Sequence, residues 1–127
     1  IPTHGVRVHQ CPRHAKYIGR NPLAIALVWR DNAPADIFEA MAKGFGIGND
    51  LCPHLAVDAE GNVAQLLEVG EHGAYFETGD QARTIVIGRL GDNAKPTVKQ
   101  KMIADMLVKS LRDELRVPQV INRWPEV

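Results

Sequence analysis

The chain carries no excess charge of either sign, with fifteen lysines and arginines against fifteen aspartates and glutamates. Zero net charge argues against a protein whose main business is gripping a nucleic-acid backbone or an anionic membrane. Long apolar runs are also missing. The best of them, Leu23 to Trp29, is strand length, far short of the roughly 20 residues needed to cross a bilayer. Only Cys11 and Cys52 are present, too few for a disulfide framework, so the reading is two free thiols, which favours a reducing compartment. The single serine, Ser110, falls in the middle of a helical pattern, and Cys52 has no flanking motif that would lower its pKa. Serine or cysteine nucleophile chemistry is therefore not expected. The opening IPTHGVRVHQ has neither the apolar core of a signal peptide nor a leading methionine, so the chain reads as processed or excised from something longer. It is expected to be cytoplasmic or part of a larger assembly.

What is present fits one domain of 127 residues with 45% hydrophobic side chains and room for one core. Residues 1–22 hold three prolines, three histidines and four basic residues without a sustained period, which predicts an irregular arm wrapped on a domain of residues 23–127. Val6 and Val8 allow a short strand within it. His9-Gln10-Cys11-Pro12-Arg13-His14 offers zinc-type donors, but a zinc site needs three or four that converge, so a solvated loop is the better reading.

Leu23 to Trp29 is apolar on both faces and predicts a strand buried on both sides, central in a sheet. Asn32-Ala33-Pro34 opens a helix, with Asp36 near its positive end and an apolar stripe of Ile37, Phe38, Met41, Ala42 and Phe45. The stretch from His54 to Glu68 reads as a hairpin: two alternating runs flank the turn Asp58-Ala59-Glu60-Gly61-Asn62, where Gly61 can take a positive φ. Residues 69–80 form a long glycine-rich loop without period, the kind that is more often functional than idle. Arg83 to Gly88 is a further strand. The longest helix starts at Pro96-Thr97, with Thr97 and Gln100 at capping-box spacing. Its predicted sheet-facing stripe is Val98, Met102, Ile103, Met106, Leu107, Leu111 and Leu115. Val120-Ile121 adds a last strand and Arg123-Trp124-Pro125 a tail. The order implies an α/β domain with a mixed central β-sheet flanked by α-helices.

Several of these pieces, taken in order, resemble one family: the peptidoglycan recognition proteins and the zinc N-acetylmuramoyl-L-alanine amidases that share their fold. LAIALVW looks like its buried strand, and PADIFEAMAKGFGIGND like its helix and glycine-containing loop. CPHLAVDAEGNVAQL is similar to its YHFLID hairpin, EHGA to its WHAG loop, RTIVIG to its SIGIE strand, and PTVKQKMIADMLVKSLRDEL to its PT-x-x-Q helix. The likeness spans about residues 23–121.

The resemblance implies a zinc held by a His at the end of the buried strand, a His just after the last strand, and a later Cys, His or Asp. This chain has Trp29 at the first position and Asn122 or Arg123 at the second, and it ends at Val127 before a third. Pro53 stands where the family has a tyrosine. An indole and a guanidinium are not zinc donors and an amide is a poor one. The expectation is a degenerate member, a pseudoenzyme without cofactor, that binds peptidoglycan fragments or docks within a cell-wall or phage-type assembly. The expected substrate contacts are Trp29, His54, His72, Tyr75 and Thr78, with Glu71, Glu77 and Asp80 as solvated charges. A purely structural role would have His54 capping a sheet edge and His72 exposed. Two rival functions stay open. One is a working amidase with rearranged zinc ligands, such as His54 and His72 with Asp58, Glu71 or Cys52; the second is a protein-binding domain whose groove is filled by Trp29.

Overall fold

The computed structural model describes residues 8–10, 22–29, 33–43, 53–67, 84–91 and 95–126. They form β1 (Val8–Gln10), β2 (Ala24–Val28), α1 (Ile37–Lys43), β3 (Leu55–Val57), β4 (Val63–Gln65), β5 (Thr84–Arg89), α2 (Val98–Leu115) and β6 (Gln119–Asn122). These six strands make one sheet in the order β1-β4-β3-β5-β2-β6. Among the described residues only the β3/β4 hairpin is antiparallel; the other pairs are parallel, so the sheet is mixed as its sequence order implies. β2 is interior, between β5 and β6, and every one of its residues is buried. Three residues of the segment read as an arm become β1, an edge strand on β4.

Alternation along the strands sorts the side chains onto two faces. Ile25 and Leu27, Leu55 and Val57, Val63, and Ile85 and Ile87 meet Ala104, Leu107 and Leu111 of α2. On the opposite face α1 sets Ile37 and Ala40 on Ala56, Ala64 and Leu66, while Ala26, Val28 and Val86 form a second patch with Ile121. The α1 face is built from small residues, which lets the short helix sit close.

The hairpin turn forms because one carboxylate collects the loop's amides. Asp58 Oδ1 accepts from the backbone of Glu60 and Asn62 at 3.1 and 2.9 Å, and Oδ2 accepts from Asn62 Nδ2 at 3.2 Å and from the Ile37 amide at 3.4 Å. Gly61 sits at φ +83°, a conformation that favours glycine, and a Cβ there would press on Ile103 Cγ1 at 3.2 Å.

Both helices depart from the sequence reading. α1 starts at Ile37 rather than at Pro34, because Asp36 is the N-cap: its Oδ1 accepts from the Glu39 amide at 2.9 Å. Glu39 in turn accepts from the Ala35 amide at 2.9 Å. Ile37 and Ala40 face inward with Met41 half-buried, whereas Phe38 and Ala42, expected in the stripe, are exposed; Phe45 lies outside the described residues. In α2 the buried set is Gln100, Ala104, Leu107, Ser110 and Leu111, and Val98, Met102 and Met106 face outward. The cause is Gln100. It completes the capping box with Thr97, then spends its amide on two strand-end carbonyls, Val57 at 2.8 Å and Leu90 at 2.9 Å, which turns the helix to bring position 100 onto the sheet.

Candidate functional site

Parallel β2, β5 and β6 end at one edge of the sheet, where Leu27 is level with Asn122 and Val28 with Gly88. In open α/β sheets ligands bind beyond such carboxyl ends. The described side chains there are Trp29, Arg89, Asn122, Arg123 and Trp124.

Trp29 follows Ile25 and Leu27 onto the α2 face and packs against that core. The Arg89 guanidinium lies over its ring, with Cζ 4.5 Å from the centroid. Arg89 is wholly buried, and burial lowers its pKa from the ordinary arginine value. An arginine stays charged even so, and a desolvated cation on an indole face contributes up to about 2 kcal/mol. The indole Nε1 of Trp29 is buried with no hydrogen-bond partner among the described residues.

Trp124, read from sequence as part of a tail, is instead a core residue. Its indole Nε1 donates to the Val28 carbonyl at 2.7 Å, closing the end of β2. Asn122 Oδ1 accepts from the Trp124 amide at 3.0 Å, and the Arg123 amide donates to Leu27 O at 2.8 Å, so the chain turns in tightly after β6. A signal was present: an aromatic a few residues past a short apolar strand, in a chain with only two tryptophans.

His54 is wholly buried at the start of β3. Its amide donates to Val86 O at 2.8 Å and its Nδ1 accepts from Val86 N at 3.0 Å, so the ring works as a backbone cap on β5. An acceptor Nδ1 puts the proton of the neutral imidazole on Nε2. The structure keeps His54 and Trp29 apart: His54 is level with Val86 on β5, whereas Trp29 pairs with Arg89 at the strand's far end. His72, Tyr75 and Thr78 lie outside the described residues, as do Cys11, His14, Cys52, Glu71, Glu77 and Asp80. Ser110 is wholly buried on the inner face of α2.

No protein-family model and no curated protein matches the chain. Solved structures do match, and they show its fold to be that of the endolysin amidases and peptidoglycan recognition proteins. A mutant endolysin from Bacillus subtilis superposes with a TM-score of 0.72 at 22% identity, covering 92% of this chain and 83% of its own. The endolysin N-acetylmuramoyl-L-alanine amidase LysCS from Clostridium intestinale gives 0.65 at 16% identity, covering 94% and 82%. The peptidoglycan recognition protein PGRP-SA from Drosophila gives 0.69 at 13%, covering 92% and 80%.

The described residues at the carboxyl edge do not fit a zinc ion. Val28 is aliphatic, the Trp29 indole has no available lone pair, and Arg123 is cationic. The Asn122 oxygen is engaged by the Trp124 amide. Among the described residues no three His, Cys, Asp or Glu side chains converge. Of the rearranged ligand set, the Nδ1 of His54 and both oxygens of Asp58 are already taken up by hydrogen bonds.

Proposed function

We propose that this domain binds peptidoglycan fragments without cleaving them. The fold neighbours include an N-acetylmuramoyl-L-alanine amidase and a peptidoglycan recognition protein, so the scaffold serves both cleavage and binding. The observation that favours binding alone is the chemistry of the carboxyl edge. Where the resemblance implies two zinc ligands, this chain carries a tryptophan seated under Arg89 and an asparagine capping its own turn. Hydrolysis of an unactivated amide in this manner needs a metal to polarise the carbonyl and bring bound water to a pKa of about 7. Nothing described at that edge can substitute. His72, Tyr75 and Thr78 are proposed as ligand contacts beside Trp29, with His54 supporting the floor from within.

The test combines three measurements on one preparation: co-pelleting with purified peptidoglycan, stem peptide released into the supernatant, and zinc per chain by elemental analysis. Binding without release, at zinc well below one per chain, supports the proposal. Release of stem peptide with stoichiometric zinc makes the domain a working amidase and ends it. Absence of both binding and release ends it too, in favour of a domain whose groove is filled and whose partner is a protein.

A further inference from the structure

The outer face of α2 carries what the sequence pattern assigned to the core. Val98, Met102 and Met106 recur at four-residue spacing and are 64%, 58% and 42% exposed. Such a row on one helix is an apolar ridge rather than scattered single residues. Toward the helix C-terminus the same surface opens into a depression of about 510 Å³, where Val108 and Val117 lie among Lys109, Arg112 and Arg116, with Asp105 and Asp113 also on its wall.

The charge of this element is one-sided in a chain whose net charge is zero. Residues 95–116 hold six basic side chains against the acidic Asp105, Asp113 and Glu114. Two of the basic groups are already neutralised along the helix, Lys101 by Asp105 at 2.8 Å and Lys109 by Asp113 at 2.9 Å. Arg112 and Arg116 are exposed and make no ion pair among the described residues. Arg116 also closes the helix at φ 54°, a conformation that costs an L side chain roughly 1 kcal/mol and that glycine would take freely.

From this juxtaposition we infer that the α2 face is a docking surface for a protein segment that is both acidic and apolar, an amphipathic acidic peptide. Its apolar side chains lie along Val98, Met102 and Met106, and its carboxylates meet Arg112 and Arg116, whose planar forks suit them. A nucleic acid or another polyanion is a poorer match, because it would make no use of the apolar ridge of Val98, Met102 and Met106. None of the residues of this surface is among the proposed peptidoglycan contacts, so the inference stands independently of that reading.

The probe is a labelled synthetic peptide of leucine and glutamate at helical spacing, followed by fluorescence anisotropy against the full chain. Three controls accompany it: the same peptide with serine for leucine, the same with lysine for glutamate, and inorganic polyphosphate. The expected result is saturable binding of the first peptide only, weakened about tenfold by Arg112→Glu combined with Arg116→Glu and about fivefold by Met102→Ser. These positions are exposed, so the variants keep the far-UV circular dichroism of the parent, while acidic groups at the end of α2 oppose its dipole and lower the urea midpoint slightly. The inference is overturned if the peptide fails to bind at millimolar concentration, if polyphosphate competes equally, or if charge reversal leaves affinity unchanged. Sedimentation showing self-association that Met102→Ser abolishes also overturns it, by making a second copy the occupant.

Discussion

Two buried ionic groups show how single residues hold this fold. Asp58 has no counter-cation among its described contacts; its charge is spread over four N–H donors from the turn and from the first turn of α1. Removing it strands the buried Ile37 amide and three part-buried turn donors, so Asp58→Ala should cost about 2–4 kcal/mol, and Asp58→Asn should recover only part of that because one acceptor becomes a donor. The readout is the urea midpoint at unchanged slope. Arg89 differs, because its guanidinium lies over an aromatic ring. A single truncation there mixes lost packing with relief of a buried charge, and a buried charge replaced by a hydrophobe is sometimes neutral. The informative measurement is a double-mutant cycle with Arg89→Met and Trp29→Leu. A coupling of about 1 kcal/mol is expected from the cation over the indole at 4.5 Å, and a coupling near zero would show that the pair merely coexists.

At the scale of elements, α2 shows why hydrophobic periodicity finds the helix but misses its rotation. Positions 98 and 102 lie about 200° around the axis from 100 and 104, nearly opposite faces, because each residue advances 100°. The apolar residues of α2 cover so wide an arc that counting them cannot choose between the two orientations. The choice is made by a polar residue that no hydrophobic pattern scores. Thr97 Oγ1 accepts from the Gln100 amide at 3.1 Å and donates to Ala59 O at 2.6 Å, while Gln100 Oε1 accepts from the Thr97 amide and Nε2 donates to the ends of β3 and β5. Gln100→Ala leaves two carbonyls and a helix start without partners and should cost about 2–4 kcal/mol. Gln100→Glu keeps the shape but sets a carboxylate against two carbonyl oxygens, so it should be no better than alanine at neutral pH. A glutamate variant as stable as the parent would mean that the amide is not oriented by those carbonyls. Elements whose signal is local are legible in the sequence. The hairpin is visible in Asp58, Gly61 and the alternation around them, and β2 in its unbroken apolar run. The strand-end site is not, because Trp29 and Trp124 meet β2 from stretches nearly a hundred residues apart, and because a histidine in a sequence does not reveal whether its ring faces a groove or a backbone amide, as His54 does.

For the molecule as a whole, the decisive contact joins the last described residues to the end of β2. β6 is the sheet's outermost strand on the β2 side, its residues are half-buried to exposed, and it follows α2 after only a short connection. An edge strand of that kind has little burial to hold it. Trp124 supplies the missing anchor, reaching back to the Val28 carbonyl and packing with Ile25, Leu27 and Val117 beneath α2. The sheet and its last strand should therefore unfold together, with circular dichroism and tryptophan emission giving one coincident urea transition. Trp124→Phe keeps most of the packing, loses the indole donor and should cost about 1–2 kcal/mol. Trp124→Ala should cost about 3–5 kcal/mol and separate the probes, because β6 and the carboxyl edge then loosen before the core of β2, β5 and α2. If the alanine variant kept a single transition near the parent midpoint, the anchoring of that edge would have to come from elsewhere in the chain.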